Sequence, residues 1–195
     1  MLRITTLKGN VSATAKTYYS KEDNYYHKEA TTEWHGNLAQ ELGLNGEVDT
    51  KIFEQLLNGT LPNGITAISN RKTKNSERRM AYDLTFSAPK SISIQGLIGN
   101  DLAIIAAHDT AVKIALNELE KYIETRKRIG TERHKQNTSN FVTAMFRHEL
   151  SRALDPQIHT HAIVMNMTKR EDNIFSAISN ENLFKIISLF ILIRG

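Results

Sequence analysis

The sequence predicts an α+β fold in which a central, mainly antiparallel sheet is covered by helices. Strand-like segments begin near positions 1, 80, 140 and 160, and helix-like segments lie between them. The 195 residues are enough for one domain with a hydrophobic core, and no internal repeat or low-complexity linker divides them.

The composition is that of an ordinary globular protein, with 40% hydrophobic and 24% charged residues. The chain has no cysteine, which excludes disulfides, thiol nucleophiles and thiolate metal sites. A metal ion would therefore need histidine, aspartate, glutamate or backbone oxygen as ligands. The sequence has no apolar run of about 18 residues and no secretory pattern, which predicts a cytoplasmic protein without a membrane span.

The N-terminal segment predicts a strand followed by a helix. The strand is MLRITTL, and the Gly-Asn pair after it marks its end. Ser12 is a suitable N-cap for the helix, in which Val11, Ala15 and Tyr18 recur at helical spacing on one buried stripe. Tyr18 is therefore expected to point towards the protein, and Tyr19 lies about 100° further round the helix.

The next two segments predict short helices. EWHGNLAQELGLNG is expected to be helical up to Gly43, which ends the helix. DTKIFEQLLNG is expected to form another helix, capped by Asp49 and ended by Gly59.

The segment MAYDLTFSAPKSISI predicts a strand that leads into a helix. Hydrophobic residues alternate over residues 80–86, which places Asp83 on the small, polar face of the strand. Ser87 and Pro89 are expected to be the cap and first turn of the following helix.

The longest predicted helix runs from Asp101 to Arg128. It begins at an acidic residue, ends in a basic run and is followed by Gly130, as the helix dipole and C-capping favour. A helix of this length would span roughly 42 Å.

The segments SNFVTAMFRHEL and QIHTHAIVMNM predict an antiparallel hairpin. His159 and His161 are two residues apart on a strand, so they project from the same face. With the turn centred between Leu154 and Asp155, His148 is expected directly opposite His161. Three neutral imidazoles leave an ion's charge and some coordination positions free, as in catalytic metal sites. The three histidines therefore predict a metal site that polarises an anionic substrate oxygen.

Four of the six tyrosines form two doublets, Tyr18-Tyr19 and Tyr25-Tyr26. A phenol is less than about 1% ionised at neutral pH, so a tyrosine nucleophile needs a base or a strongly activated electrophile. A metal that draws charge from phosphate oxygens supplies the electrophile, and Asp83 can orient a histidine or accept a proton. This combination favours transesterification of a phosphodiester. Aromatic packing on an amphipathic helix is the alternative explanation of the doublets.

These residues resemble the relaxase domain of TrwC/TraI-like (MobF-type) conjugative relaxases, within the histidine-hydrophobe-histidine (HUH) group of single-strand endonucleases. The resemblance covers residues 1–182. It rests on the tyrosine doublets, EWHGNLAQELGL, LLNGTLPNG and, most specifically, YDLTFSAPKSIS and HELSRALDPQIHTHAIVMN. It implies a palm-like antiparallel sheet that is incomplete at the C-terminus.

The resemblance also implies an activity: site- and strand-specific nicking and transfer of single-stranded DNA at a transfer origin, through a 5′-phosphotyrosine, in conjugative plasmid transfer. Tyr18 would be the nicking nucleophile, with Tyr19 beside it, and Tyr25 or Tyr26 would act in the second strand transfer. The three histidines would bind magnesium or manganese, with Asp83 hydrogen-bonded near them. Three imidazoles by themselves suit zinc or another transition metal better. Relaxosome accessory proteins are implied as partners.

Two basic segments, RKTKNSERR and RKRIGTERHK, are expected either to lie along a phosphate backbone or to form solvated loops. The basic residues predicted to contact DNA are Arg78, Arg79, Lys90, Arg133 and Arg152.

The resemblance ends near NENLF, which predicts a partial relaxase domain at residues 1–182 and a divergent apolar tail at residues 183–195. The sequence contains no helicase motif of the form GxxxxGK[ST]. Two other functions stay open. A catalytically silent remnant would bind single-stranded DNA in a salt-dependent way without forming an adduct. A three-histidine metalloenzyme acting on a small molecule would be indifferent to Tyr18→Phe.

Overall fold

The computed structural model describes residues 1–9, 15, 31–68, 78–151, 153–179, 181 and 183–187. The strands of its main sheet are β1 (Leu2–Lys8), β2 (Thr31–His35), β3 (Arg79–Ser87), β6 (Thr143–Leu150) and β7 (Pro156–Met165). They are ordered β1-β3-β7-β6-β2, and every neighbouring pair is antiparallel. This sheet confirms the predicted fold class and all four predicted strand positions.

Four helices and two small hairpins complete the described fold. The helices are α1 (Asn37–Glu41), α2 (Thr50–Leu57), α3 (Lys90–Leu97) and α4 (Leu102–Glu120). The small hairpins pair β4 (Glu124–Ile129) with β5 (Glu132–Asn137), and β8 (Thr168–Lys169) with β9 (Phe175–Ser176).

Both faces of the main sheet are covered, because side chains alternate between the faces along each strand. One face carries Trp34, Phe146 and Ile163, which form a core with the buried side chains of α1 and α2. We call it the histidine face, since His148, His159 and His161 project from it. The opposite face, which we call the back face, packs Tyr82, Leu84 and Val164 against α4.

The predicted cap of α2 is confirmed, and Asp101, the predicted start of the long helix, is the N-cap of α4. The carboxylate of Asp49 accepts hydrogen bonds from the backbone N–H groups of Lys51 and Ile52. Asp101 does the same for the first turn of α4. Such caps satisfy N–H groups that have no partner within the helix. The expected ends of the two short helices at Gly43 and Gly59 are also confirmed, because both glycines have positive φ, at 73° and 80°.

The prediction of a helix beginning at Glu33 is wrong, because residues 33–35 belong to strand β2. Trp34 lies opposite Ala144 in β6, more than a hundred positions along the chain. Pairing between strands so far apart in the sequence leaves no signal in the residues of β2 themselves. Gly36, with φ of 112°, then turns the chain from β2 into α1. A side chain at this position would collide with the backbone oxygen of Phe141.

The long helix is shorter than predicted: α4 ends at Glu120 rather than at Arg128. Its 19 residues span roughly 28 Å. The chain turns at residues 121–123 and continues as β4, in which Arg126 lies opposite Lys135 of β5. Thr125 at the base of this hairpin is buried and bridges to Ile178. Pairing with β5 and burial of Thr125 therefore override the helical continuation.

The predicted start of α3 is also corrected by the structure. Ser87 is the last residue of β3, where its N–H donates to the backbone oxygen of Met1. Pro89 is the N-cap residue rather than part of the first turn. Ser87 is held in the sheet because it also lies opposite His159 of β7.

The predicted N-terminal helix, with its cap Ser12 and all four doublet tyrosines, lies outside the described residues apart from Ala15. Ala15 is helical and 1% exposed, and it belongs to the core on the histidine face. Within the predicted tail, residues 183–187 are helical, and Leu183 and Ile187 are buried in the back-face core. Among the described residues, no helix has the length and apolar character needed to cross a membrane.

Candidate metal centre

The three predicted histidines come together on the two central strands of the sheet. Their register differs from the predicted one: His148 lies opposite His159, and Phe146 lies opposite His161. The shift of two residues arises in the connection, where residues 151–155 form the loop and a bulge follows His148. Because side chains alternate with a period of two, this shift leaves all three histidines on the same face.

The three imidazole rings form a nearly equilateral triangle. Their centroids are 5.3 Å apart for His148 and His159, 5.4 Å for His148 and His161, and 5.2 Å for His159 and His161. Three imidazoles bound to one tetrahedral ion through nitrogens at about 2.1 Å have centroids about 5.2 Å apart. The spacing of the rings therefore fits a shared metal ion.

The ring orientations are less converged than the ring positions. His148 and His159 stack at an interplanar angle of only 23°. As the side chains stand, no group of three His, Asp or Glu within the described ranges already has the arrangement of a formed metal site.

Asp83 fixes the orientation of one ring. Both of its carboxylate oxygens lie 2.9 Å from Nδ1 of His161. Because a carboxylate only accepts hydrogen bonds, Nδ1 carries the proton and Nε2 presents its lone pair to an ion. The hydroxyl group of Thr85 lies 3.3 Å from both Asp83 Oδ1 and His161 Nδ1, which adds a third member to this contact.

His159 is oriented in the same way by the backbone. Its Nδ1 donates to the carbonyl oxygen of Gln157 at 3.0 Å, so Nε2 is again the ring nitrogen that carries the lone pair. Two of the three histidines thus present the same ring nitrogen.

His148 is held neutral by its surroundings. Burial, together with the neighbouring His159 and His161, lowers its pKa from the usual 6.5 to about 3, against the opposing effect of Asp83. A neutral imidazole is the form that binds a metal ion. The side chain is 2% exposed, so this ligand lies at the floor of the site.

The residues predicted to contact DNA lie at separate places in the structure and do not form one cluster within the described part of the chain. The guanidinium group of Arg78 packs against Gly59. A β-carbon on residue 59 would lie only 2.5 Å from Nη2 of Arg78. Arg79 begins β3 opposite Lys8. Lys90 begins α3 and lies 3.6 Å from Asp155 in the loop of the histidine hairpin.

Arg133 is exposed on β5, directly opposite Arg128 on β4. Arg152 lies outside the described residues, as do the predicted catalytic residues Tyr18, Tyr19, Tyr25 and Tyr26. Asp83 is therefore the one predicted catalytic residue within the described part of the chain. Its carboxylate accepts a hydrogen bond from His161.

Two features of the site were not predicted from the sequence. Thr85 was not assigned to the site, although its position two residues after Asp83 places both side chains on the same face of the strand. His108 in α4 bonds the hydroxyl group of Thr160, the residue between the two histidines of β7. A polar pair, His108-Asp109, within a largely apolar helix is the signal that could have found this contact.

Comparison with known proteins gives a consistent result. Residues 12–190 match the family model of the TrwC relaxase. The multifunctional conjugation protein TraI of Escherichia coli is 40% identical over 170 residues, which are 87% of this chain and 10% of TraI. TraI of strain K12 is 41% identical over 159 residues, 81% of this chain and 9% of TraI. The chain thus spans about a tenth of the length of these relatives.

Solved structures of the conjugative relaxase TrwC are also similar. A metal-bound form in complex with oriT DNA has a TM-score of 0.87 and 41% identity, over 95% of this chain and 63% of that one. A copper-bound form in complex with oriT DNA has a TM-score of 0.87 and 42% identity, over 95% and 64% of the two chains. TrwC complexed with a 27-mer DNA comprising the recognition hairpin and the cleavage site has a TM-score of 0.85 and 40% identity, over 95% and 62%.

Proposed function

This chain belongs to the TrwC relaxase family, and we propose that it nicks single-stranded DNA at a specific site and transfers the strand through a 5′-phosphotyrosine. The observation that carries the proposal is the triangle of His148, His159 and His161, with Asp83 bonded to one member. The proposed setting is conjugative plasmid transfer in the cytoplasm, with a transfer origin as the DNA partner.

The proposed cofactor is a divalent metal ion held by the three histidines. When bound, the ion would withdraw negative charge from the oxygens of the scissile phosphate. Nitrogen ligands favour a first-row transition ion over magnesium, and a relative, TrwC, has been solved in a copper-bound form. Among the ions that the family resemblance implies, manganese therefore fits this ligand set better than magnesium.

Asp83 and Gln157 prepare the ligands for that ion. The Asp83 carboxylate and the Gln157 carbonyl each accept a hydrogen bond from the Nδ1–H group of one histidine, so the lone pairs of His161 and His159 for the ion are on Nε2. Burial keeps His148 neutral, so it does not need to lose a proton before it binds the ion. His148 is therefore held in its metal-binding form at neutral pH.

The proposed nucleophile is Tyr18. The phenol loses its proton as its oxygen bonds to phosphorus, the bond from phosphorus to the 3′ oxygen breaks, and the leaving 3′ oxygen takes up a proton. Support comes from Ala15, three residues earlier, which is helical and buried in the core on the histidine face. Tyr25 or Tyr26 is the proposed nucleophile of the second strand transfer, in which its phenol oxygen bonds to phosphorus and a 3′ hydroxyl group is released.

The hairpin of β4 and β5 is the proposed contact for DNA phosphates. One face of this hairpin carries four exposed basic side chains in two opposed pairs, Arg126 with Lys135 and Arg128 with Arg133. Opposed like charges destabilise a hairpin unless anions lie close to them. Glu181 lies beside Arg126 and Lys135, and Glu124 lies 4.0 Å from Lys135. In the described part of the chain, no acidic side chain pairs with Arg128 or Arg133, so DNA phosphates are suited to that end.

The proposal is tested by covalent capture of DNA. A 3′-labelled single-stranded oligonucleotide from the transfer origin is incubated with the protein and manganese, and adducts are separated on a denaturing gel. We expect an adduct with the unchanged chain, loss of at least about 100-fold with Tyr18→Phe, and a smaller loss with Tyr19→Phe. The phenylalanine variants keep the ring and remove only the hydroxyl group.

Two outcomes contradict the proposal in different ways. An adduct of normal yield with Tyr18→Phe would exclude Tyr18 as the nucleophile. Salt-dependent DNA binding by the unchanged chain without any adduct would identify a silent DNA-binding remnant instead.

A further inference from the structure

We propose that His108 and Asp109 of α4 are positioning residues for the histidine centre, which they support from the back face of the sheet. The inference rests on the proposed metal site and adds a second layer to it. These two side chains do not contact the histidine face. They act through Thr160 and Arg147, whose row lies between the row of His148 and His159 and the row of His161. We call the four side chains of His108, Asp109, Thr160 and Arg147 the bracket.

The register of the sheet shows why this position matters. Thr160 of β7 lies directly opposite Arg147 of β6, and Arg147 lies opposite Thr31 of β2. This row of back-face residues is flanked by two rows on the histidine face. His148 and His159 form one of them, and His161 opposite Phe146 forms the other. The row of Thr160 and Arg147 therefore sets the distance between His161 and the pair formed by His148 and His159.

The side chains of α4 hold this row at two points. Nε2 of His108 lies 3.1 Å from the hydroxyl oxygen of Thr160, which is 4% exposed. Asp109 forms an ion pair with Arg147, whose other terminal nitrogen donates to the hydroxyl group of Thr31 at 2.9 Å. The adjacent residues His108 and Asp109 thus contact the adjacent strands β7 and β6. The helix α4 is itself held by its packing in the back-face core.

The pairing of β6 with β7 needs these contacts because its regular register ends at His148. The bulge between His148 and Leu150 interrupts the register immediately after the buried ligand. A bulge bends its strand and increases the local twist, which would move His148 relative to His159 and His161. An anchor on the preceding residue, Arg147, limits that movement.

The charges of the bracket also suit a cation on the other face. Burial lowers the pKa of His108, so its ring is neutral at neutral pH. The positive charge of Arg147 is balanced by Asp109 and by Glu149, 3.9 Å away. The bracket therefore adds no net positive charge behind the proposed ion.

The test compares metal binding in four variants. Cobalt(II) is titrated into the metal-free chain, and the visible absorption of the bound ion reports both affinity and ligand geometry. Thr160→Val removes the hydroxyl group at constant shape, and His108→Ala removes its partner. Lys113→Gln is the matched control, since it breaks the link from the same helix to Glu33 on edge strand β2. His108→Gln retains a side-chain amide that can donate to Thr160 and is the rescue variant.

We expect Thr160→Val and His108→Ala to bind cobalt about tenfold more weakly, with a changed absorption spectrum, as for other supporting contacts of metal ligands. Lys113→Gln should stay within about twofold of the unchanged chain, and His108→Gln should recover most of the affinity. Thermal melting of each variant accompanies the titration, because a general loss of packing would lower stability in the control as well.

The outcomes separate this inference from the proposed function. Normal affinity and spectrum in Thr160→Val and His108→Ala would overturn the bracket while the metal site stands. An equal loss in the Lys113→Gln control would show only general helix packing and would also overturn it. Failure of the unchanged chain to bind cobalt would overturn the metal site and the bracket together.

Discussion

Two antiparallel hairpins of this protein have the same local architecture and opposite chemistry. The hairpin of β6 and β7 lies at the centre of a five-stranded sheet and carries three histidines. The hairpin of β4 and β5 stands outside that sheet and carries a run of exposed arginines and lysines. We call them the histidine hairpin and the basic hairpin.

The difference shows how burial selects the charge state that a hairpin can hold. In the histidine hairpin, desolvation favours the neutral ring of His148, whose pKa falls to about 3. In the basic hairpin, water solvates the cations, so four positive side chains can share one face. The first arrangement suits coordination of an ion, and the second suits screened contacts with phosphates.

The largest effect is expected from removing a ligand of the histidine hairpin. His161→Ala deletes one of three nitrogens and leaves Asp83 without its imidazole partner, so manganese affinity measured by calorimetry should fall at least about 100-fold. His134→Ala makes the same change in the basic hairpin, where the ring is exposed, and should leave the affinity unchanged. Equal affinities for His161→Ala and the unchanged chain would refute the three-histidine site.

A smaller effect is expected from acid on the metal-free protein. The pKa of His148 is about 3 in the folded chain and 6.5 in the unfolded chain, so the unfolded state binds more protons between these values. Stability is therefore complete above pH 6.5 and is lost as pH falls towards 3, by up to about 4 kcal/mol from this residue.

Urea unfolding at pH 7, 6, 5 and 4 measures this loss. His148→Gln has no titrating ring, and its stability should depend less steeply on pH over the same range. Identical slopes for the two proteins would show that His148 is not held neutral by burial.

The smallest effect is expected from the basic hairpin. Arg133→Glu should reduce the salt dependence of single-stranded DNA binding by about one unit of slope and weaken binding several-fold at low salt. Lys51→Glu makes the same change of charge on an exposed residue of α2 and serves as the control. Fluorescence anisotropy over a salt series measures both slopes, and equal slopes would remove the basic hairpin from the DNA contact.

The histidine hairpin was largely predictable, for a physical reason that resides in its own sequence. The alternation of side chains along a strand places His159 and His161 on one face whatever the rest of the chain does. The predicted register was wrong by two residues, yet the site survived, because an even shift does not change the face. Asp83 was predictable for the same reason, since its strand alternates strictly.

The basic hairpin was not predictable from local pattern. Its first strand follows α4 after only a short turn, and the basic residues at 126–128 resemble the end of a helix that complements the helix dipole. What makes this segment a strand is its pairing with β5 and the burial of Thr125 against Ile178. Strand β2 escaped prediction in the same way, because its partner β6 lies more than a hundred residues further along the chain.

The sequence by itself determined which residues share a face, where α2 and α4 begin, and that three imidazoles and a carboxylate meet on one sheet. These properties depend on side-chain alternation and on caps, which act within a few residues. The tertiary structure decided the register of the histidines, the end of α4 and the contacts of His108 and Asp109 behind the site. Those depend on loop conformation, strand pairing and helix packing between distant segments, whose energies no single segment contains.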